Sequence, residues 1–594
     1  MKKLVVLSLA GFLILAFGGV GYAQQLYELE KGKPTIISTP GINNPPFQQG
    51  NYQEMVVGEK PPVLEFKASG FIDVIGEMNK NVPQMSPNPW TDFSGGTLFG
   101  VNRIFAPQSG LGTITSGPLQ GAPRGAAFNA KQSYMETRAR LRFDAVMGKQ
   151  VSGTFIFEID ATRWGERNGL GAQRNQAGDW NADSAAVEVK NAFITFALPP
   201  IIPVPVTVNA GILPLVTRPV VQYTDGTGIN ITFKPDPAQI TFIWMKALEN
   251  QDWASDDVDV YGVQAKVNVG TVTLGGFMSY YNFNTYPFQG SGSFNMYGFG
   301  PAVAGGNSAY NSTFIDPRTA DFSWWGLYAD GKLGPVYINT DFVYDYGYVV
   351  AHGDPAFTIN RLAERKVDYR GWITRLAVDF PWEKFNFGAV GMYASGSDMK
   401  QTSSTGQPGE AVANNPGGSN GFARKVTGYV VPPNAEHVYD DEDLIIYGTG
   451  ANGLNRAGTG YNTSSGTAVS RGSYGGTWFA KLYGQVKPAP WYRITLFGMY
   501  IGDTTKHGNS LTDAVNADGT PSDGKSIGWE VGIFNDIQIY RNLQLRAGGA
   551  YLFPGDAMVY RDQRVGTLPS PATSLQNVKV EAPWALAVKL IYVF

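Results

Sequence analysis

The sequence predicts an all-β fold, a transmembrane antiparallel β-barrel of about 18 strands. Three observations carry that prediction. The composition sets 43% hydrophobic and 13% aromatic residues beside 73 glycines and only 16% charged residues, a mixture of strand and turn formers. After the N-terminus, the most apolar long stretch is Ala197–Val216, and it holds Pro199, Pro200, Pro203, Pro205 and Pro214. Each proline inside a helix removes a hydrogen bond and strikes the preceding turn, so no spanning helix forms there. Apolar and polar residues instead alternate over segments of the ~9–11 residues that a strand needs to cross a bilayer. Lipid offers no hydrogen bonds, so a sheet can span it only by closing on itself.

Residues 1–23 read as a signal peptide. Lys2 and Lys3 precede an apolar run from Leu4 to Val20, and the small residues Gly21 and Ala23 suit cleavage after Ala23. Residues 24–62, with "TPGINNPPFQQG" and "GEKPP", are biased to Pro, Gly and Gln and read as an extended periplasmic segment. The barrel then occupies 63–594. Its first nine strands are expected near 63–78, 132–147, 151–163, 185–197, 205–212, 228–234, 239–248, 257–269 and 271–283. The other nine are expected near 320–330, 335–349, 367–380, 385–395, 474–487, 491–502, 525–538, 543–553 and 578–594. The pair within 205–234 has the weakest pattern, and without it the count is 16.

The clearest alternation is "PVYINTDFVYDYGYVV". Val336, Ile338, Thr340, Phe342, Tyr344, Tyr346 and Tyr348 share one face, and Tyr337, Asn339, Asp341, Val343, Asp345 and Gly347 the other. The last strand, "WALAVKLIYVF", puts Trp584, Leu586, Val588, Leu590, Tyr592 and Phe594 on one face and Lys589 on the other. It is expected to pair with the first strand, so that no edge faces lipid.

The connections sort by parity, as short periplasmic turns and long extracellular loops would. After even-numbered strands they are short: "GKQ", "KPDPAQ", Gly270, "DGKLGP", "PWEK", "PAPW" and "IYRN", with "PPIIPVP" a little longer. After odd-numbered strands they are mostly long, as at 79–131, 284–319, 396–473, 503–524 and 554–577. Aromatic residues fall at strand ends, where interface girdles belong. Trp491, Tyr592 and Phe594 are expected at the periplasmic rim, and Trp324 and Tyr348 at the opposite one.

Charge marks the inner face. In "TRARLRFDAVM", Arg138, Arg140 and Arg142 alternate with Ala139, Leu141 and Phe143. An arginine facing lipid at the bilayer midplane costs roughly 2–4 kcal/mol, so this row must face the lumen. The same parity turns Glu158 and Asp160 inward on the next strand, then Lys190, Arg375, Lys481, Arg493 and Arg546. Glu188, Lys266, Asp341, Asp345, Asp379, Glu530, Asp536 and Lys589 follow the same rule. Two readings of the arginine row stand open: a basic stripe that steers anionic solutes, and a salt-bridge network with Glu158 and Asp160 that braces the wall.

Several function classes are excluded. With no cysteine, the chain can form no disulfide, thiolate metal site or Cys-x-x-Cys-His haem attachment. The only histidines, His352, His437 and His507, lie in expected loops and in no nucleophile or metal motif. "YDDEDL" lacks the ligand spacing and turn glycine of a calcium-binding EF-hand. Neither an enzyme nor a cofactor or metal site is therefore expected. The 46 Lys and Arg, less Lys2 and Lys3 with the leader, leave 44 against 49 acids, which argues against a nucleic-acid partner.

The stretches "TRARLRFDAVMGKQVSGTFIFEIDATRWGE" and "DSAAVEVKNAFITFALP" resemble uncharacterised porins of deltaproteobacteria and related groups, and more distantly alginate-export-type barrels. The likeness covers mainly Lys131–Phe283 and the last strand. A chain ending in Phe594, with Tyr592 and alternate apolar residues before it, resembles the terminal signal of Gram-negative outer-membrane proteins. These resemblances imply an outer-membrane location and recognition by the barrel-assembly machinery. The expected function is that of a porin, a water-filled channel for passive diffusion of small hydrophilic or ionic solutes. Part of 396–473 or 79–131 is expected to fold inward and set the cutoff. Two alternatives remain: a sheath for a multihaem cytochrome, and a substrate-specific export channel for an anionic polysaccharide or solute. The expected partners are outer-membrane lipid and the solute, with a homo-oligomer left open.

Overall fold

The structure is a computed structural model. It describes residues 64–80, 131–164 (bar 149), 187–199, 203–249 (bar 219 and 222), 255, 257–284, 318–351, 365–396, 425–429, 432, 444–446, 475–507, 522–562, 576–579 and 581–594. The expected leader at 1–23 and the periplasmic segment at 24–62 lie outside these residues.

The first strands in chain order are β1 (Leu64–Lys80), β2 (Lys131–Met147), β3 (Val151–Arg163), β4 (Glu188–Ala197), β5 (Val206–Val216) and β6 (Tyr223–Phe233). There follow β7 (Ala238–Leu248), β8 (Val258–Val269), β9 (Val272–Phe283), β10 (Arg318–Leu333), β11 (Val336–Ala351), β12 (Arg365–Tyr369) and β13 (Trp372–Trp382). The chain continues with β14 (Phe385–Ala394), β15 (Lys425–Val426), β16 (Thr477–Ala489), β17 (Tyr492–Asp503) and β18 (Ser526–Tyr540). It ends with β19 (Leu543–Pro554), β20 (Val559–Asp562), β21 (Gln576–Lys579) and β22 (Trp584–Val593).

Each strand from β1 to β11 pairs antiparallel with its successor, and the ring continues through β13, β14, β16, β17, β18, β19 and β22 back to β1. β12 and β13 both pair with β11 and form one wall strand, interrupted at Arg370 and Gly371. There the Gly371 N–H donates to Asp345 Oδ1 at 2.8 Å. With β12 and β13 counted together and β15 set aside, the 20-stranded sheet is a closed barrel of 18 wall strands. The weak pair within 205–234 is therefore real. β15 runs parallel to β12, and β20 and β21 form a small separate hairpin.

Closure occurs where the last strand was expected to make it. Phe71 pairs with Val593, and the register runs on to Lys80 opposite Trp584. The Phe594 N–H then donates to Gly70 O at 3.0 Å, and the Gly70 N–H to Phe594 O at 2.8 Å. Every wall strand therefore has a hydrogen-bonded neighbour on each side.

The outer face is apolar. Leu482, Leu327, Phe66 and Leu496 are 59–70% exposed, and Phe143, Phe155, Phe342, Phe387 and Leu586 are exposed beside them. A continuous apolar band of this kind faces a partner or a membrane in any stable protein. On a closed antiparallel barrel it is the lipid-facing surface of a transmembrane barrel. One rim carries two- to eight-residue turns such as Gly270–Thr271 and Gly334–Pro335, and the other carries the long connections.

Candidate functional site: a narrowed lumen

The hairpin β5–β6 begins in the wall and leaves it. β4 accompanies β5 only as far as Ile212, and β7 meets β6 only from Thr227 onward. Between these points Leu213–Val216 and Tyr223–Gly226 pair only with each other. Gly211 and Gly228 face each other at the departure point. A Cβ on Gly211, whose φ is +135°, would come within 2.2 Å of Ala192 O, and one on Gly228 within 2.1 Å of Trp244 O. Only glycine lets the hairpin bend this close to both neighbouring strands.

The bend sends the tip into the lumen, where Leu213, Leu215, Val220 and Val221 are at most 3% exposed. Arg218 anchors it against β10 and β11. Its Nε donates to Asp341 Oδ1 at 2.5 Å, and Nη1 and Nη2 donate to Asp330 at 2.7 and 3.1 Å. The guanidinium also lies 4.2 Å from the centre of the Tyr328 ring. On the way, Gln264 of β8 donates to Val216 O at 2.9 Å. At the hairpin's other flank, Asp225 receives Lys190 Nζ at 2.8 Å and Asn191 Nδ2 at 2.8 Å.

Two pieces of the 395–476 connection lie inside the ring, and one of them meets this hairpin. Tyr429, 2% exposed, donates its hydroxyl to Val220 O at 2.8 Å. Leu444, Ile445 and Ile446 are buried, and the Leu444 N–H donates to Glu530 Oε1 of β18 at 2.8 Å. Thus Tyr429 and Leu444–Ile446 of 396–473 are buried inside the ring, whereas 81–130 lies outside the described residues. Against these segments the wall turns apolar inward residues near the long-connection rim: Val260, Phe283, Phe322, Ile373, Phe479 and Leu552. Among the described residues the bore carries an apolar layer near this rim and a charged layer below it.

The charged layer is built around Glu158, whose side chain is 1% exposed. Arg138 Nε lies 2.5 Å and Arg140 Nε 2.7 Å from its Oε1, and Lys190 Nζ 3.0 Å from Oε2. Arg142 pairs instead with Asp144 at 2.8 Å. Asp73 of β1 receives Lys589 of β22 at 3.5 Å across the closing seam. A carboxylate this buried is stable only when paired, and removing a partner of such a pair costs about 3–5 kcal/mol. The cations sit nearer the open lumen than the acid they share, with side-chain exposures of 16% for Arg140 and 15% for Lys190.

The remaining sequence-predicted positions divide. Arg493 and Arg546 share Asp536 near the short-turn rim, at 2.8 and 3.3 Å. Arg375 donates to Asn339 Oδ1 at 2.6 Å. Lys481 is 5% exposed and lies 4.7 Å from the Phe497 ring centre, beneath the apolar layer. Asp160 belongs to β3 at a register shift opposite Arg138, and its side chain lies outside the described residues.

Of the girdle aromatics, Trp491 stacks on Tyr492 at 5.8 Å, and Tyr592 on Phe594 at 5.6 Å. Tyr348 donates its hydroxyl to Asp321, which also receives the Tyr280 hydroxyl at 2.6 Å. Trp324 corrects the expectation of a rim anchor. It is wholly buried on the inner face, 5.8 Å from Phe322 and 5.2 Å from Tyr281, while Trp325 beside it is half exposed. The apolar filling accepts an indole there, so alternation alone does not distinguish the two faces of this strand end.

Among the described residues no group of three His, Cys, Asp or Glu side chains is placed to hold a metal ion. No protein-family model matches the chain, and no curated protein sequence does. Similar solved structures are proteins of Pseudomonas aeruginosa, among them the outer membrane protein opdK. OccK11 (OpdR) is 8% identical with a TM-score of 0.40, covering 89% of this chain and 96% of its own. OccK9 (OpdG) is 11% identical with a TM-score of 0.38, covering 89% and 99%. OpdK with vanillate is 9% identical with a TM-score of 0.36, covering 89% and 98%. Likeness at that level carries no residue role from those proteins to this chain, whose barrel stands on its own strand register.

Proposed function

We propose that this chain is a selective outer-membrane channel. It passes small hydrophilic solutes through a narrowed lumen and favours anions over cations of the same size. The observation that carries the reading is the β5–β6 hairpin, folded inside the ring and pinned by Arg218 to Asp330 and Asp341. A solute must pass this hairpin at the level of the wall on which Arg140 and Lys190 flank the buried Glu158. Bracing and steering are then two uses of one cluster: Glu158 fixes the cations, and their exposed sides set the potential in the bore.

Narrowing by the chain's own segments supports selectivity over general diffusion. It also favours a channel over a sheath for a haem-bearing partner, which needs an open bore. The aromatic C-terminus on the closing strand supports recognition by the barrel-assembly machinery and insertion with the short turns on the periplasmic side.

Uptake into proteoliposomes tests the reading. Small organic anions should enter faster than cations of equal size, and large oligosaccharides should be excluded. Equal entry of all three would overturn it.

A further inference from the structure

Outside the lumen, the outward faces of β11–β18 carry a band of rings near the long-connection rim. Trp372 lies 6.3 Å from Phe342 and 5.1 Å from Tyr393, and Tyr500 lies 5.4 Å from Trp478 and 5.0 Å from Trp529. Such bands mark the boundary between hydrocarbon and headgroups. Adjoining this band is a cavity of about 440 Å³, for which Tyr393 and Trp478 form the aromatic side. Its other side is the chain leaving β17 and entering β18, with Thr505, Lys506, His507 and Lys525 among the lining residues beside the carboxylates Asp503 and Asp523.

The cavity wall is fixed by the barrel. The Thr504 N–H donates to Gly476 O at 2.8 Å and its hydroxyl to Ala394 O at 2.7 Å, which ties this segment to β14 and β16. Lys525 pairs with Asp523 and lies 3.9 Å from Asp503. Lys506 and His507 are exposed. Thr505 is 1% exposed, and its Oγ1 is a buried hydroxyl without a hydrogen-bond partner. Buried polar atoms in native proteins are nearly always satisfied, so an orphan hydroxyl in a cavity wall points to a group that fills the cavity.

The geometry points to a binding site for the phosphorylated sugar headgroup of an outer-leaflet glycolipid. The height fits, because the cavity begins where the aromatic band ends. The chemistry fits as well. Lys506 offers a charge-assisted donor to phosphate beside Lys525, which Asp523 and the Thr505 carbonyl hold in place, Thr505 offers a hydroxyl, and Tyr393 and Trp478 offer ring faces to the sugar and the first acyl carbons.

Native mass spectrometry of the purified full-length barrel tests this site, with bis-phosphorylated diglucosamine lipid and its dephosphorylated form as probes. Wild type should retain one bis-phosphorylated lipid per barrel and at least tenfold less of the dephosphorylated form. Each cation near a charged membrane surface contributes roughly fivefold in binding. Lys506→Gln, an exposed change that leaves the fold intact, should therefore weaken retention by about that factor, and Lys506→Gln with Lys525→Gln by more than tenfold. Excess inorganic phosphate should displace little of the lipid. Equal retention of both lipid forms, unchanged retention in Lys506→Gln, or full displacement by free phosphate would overturn the proposal.

Discussion

Arg218→Ala is the perturbation to which the lumen should respond most sharply. Asp341, 1% exposed, loses a donor at 2.5 Å, and Asp330, about one-third exposed, loses two. Breaking a buried pair from one side costs about 3–5 kcal/mol, most of it from the buried Asp341 carboxylate losing the guanidinium. The wall does not depend on this pair, because β5 and β6 keep their ladders to β4 and β7 up to Ile212 and from Thr227. The cost falls instead on the balance between the hairpin held in the lumen and the hairpin released. A shift of about 3 kcal/mol changes that ratio by about 100-fold. In planar bilayers the variant should show larger conductance steps and frequent excursions to a wider state, with the folded fraction checked by heat-modifiable gel mobility. Adding Asp341→Asn removes the buried charge and should recover part of the closed behaviour. A folded Arg218→Ala barrel with wild-type conductance and noise would refute the latch.

Other changes test other parts of the account. Gly228→Val should lower the yield of assembled barrel or displace the hairpin, because its Cβ would lie 2.1 Å from Trp244 O; outer-membrane yield and heat-modifiable mobility read this out. Glu158→Gln strips the shared charge from Arg138, Arg140 and Lys190 and should destabilise the barrel by about 3 kcal/mol in urea unfolding from lipid vesicles. Leu482→Arg, at the most exposed apolar position of β16, should cost roughly 2–4 kcal/mol in the same assay, and no loss would deny that this face meets lipid. Arg140→Gln with Arg142→Gln should move the reversal potential in a salt gradient toward cation preference, while unchanged selectivity would leave these residues a bracing role alone.

The wall was legible because one physical rule governs it. Lipid outside and water or charge inside impose a period of two, and closure imposes a parity on the connections. Strands such as β3 and β11 could therefore be located to within two residues. The lumen obeys a different rule and was legible only in part. The expected strands near 205–212 and 228–234 stop within a residue of where the hairpin leaves the wall, at Ile212 and Thr227. Beyond those points Leu213, Leu215, Val220 and Val221 meet other protein rather than lipid, so their pattern gives no strand signal. The paired glycines at 211 and 228 were the available sign of a bend. Trp324 was misassigned for the same reason, since near this rim the inner face of β10 is apolar too, with Ala320, Phe322 and Trp324 buried on it. The Arg138, Arg140 and Glu158 cluster was readable because a charge cannot face lipid, while Arg218 was not, because a hairpin connection carries no parity.

Single-channel recording of the purified wild-type chain in planar bilayers tests the central claim, a membrane-spanning barrel narrowed by its own hairpin. The account predicts discrete steps, well below the conductance of an unobstructed 18-stranded bore, with a reversal potential that favours anions. An absence of steps, or steps as large as an open bore would give, would contradict it.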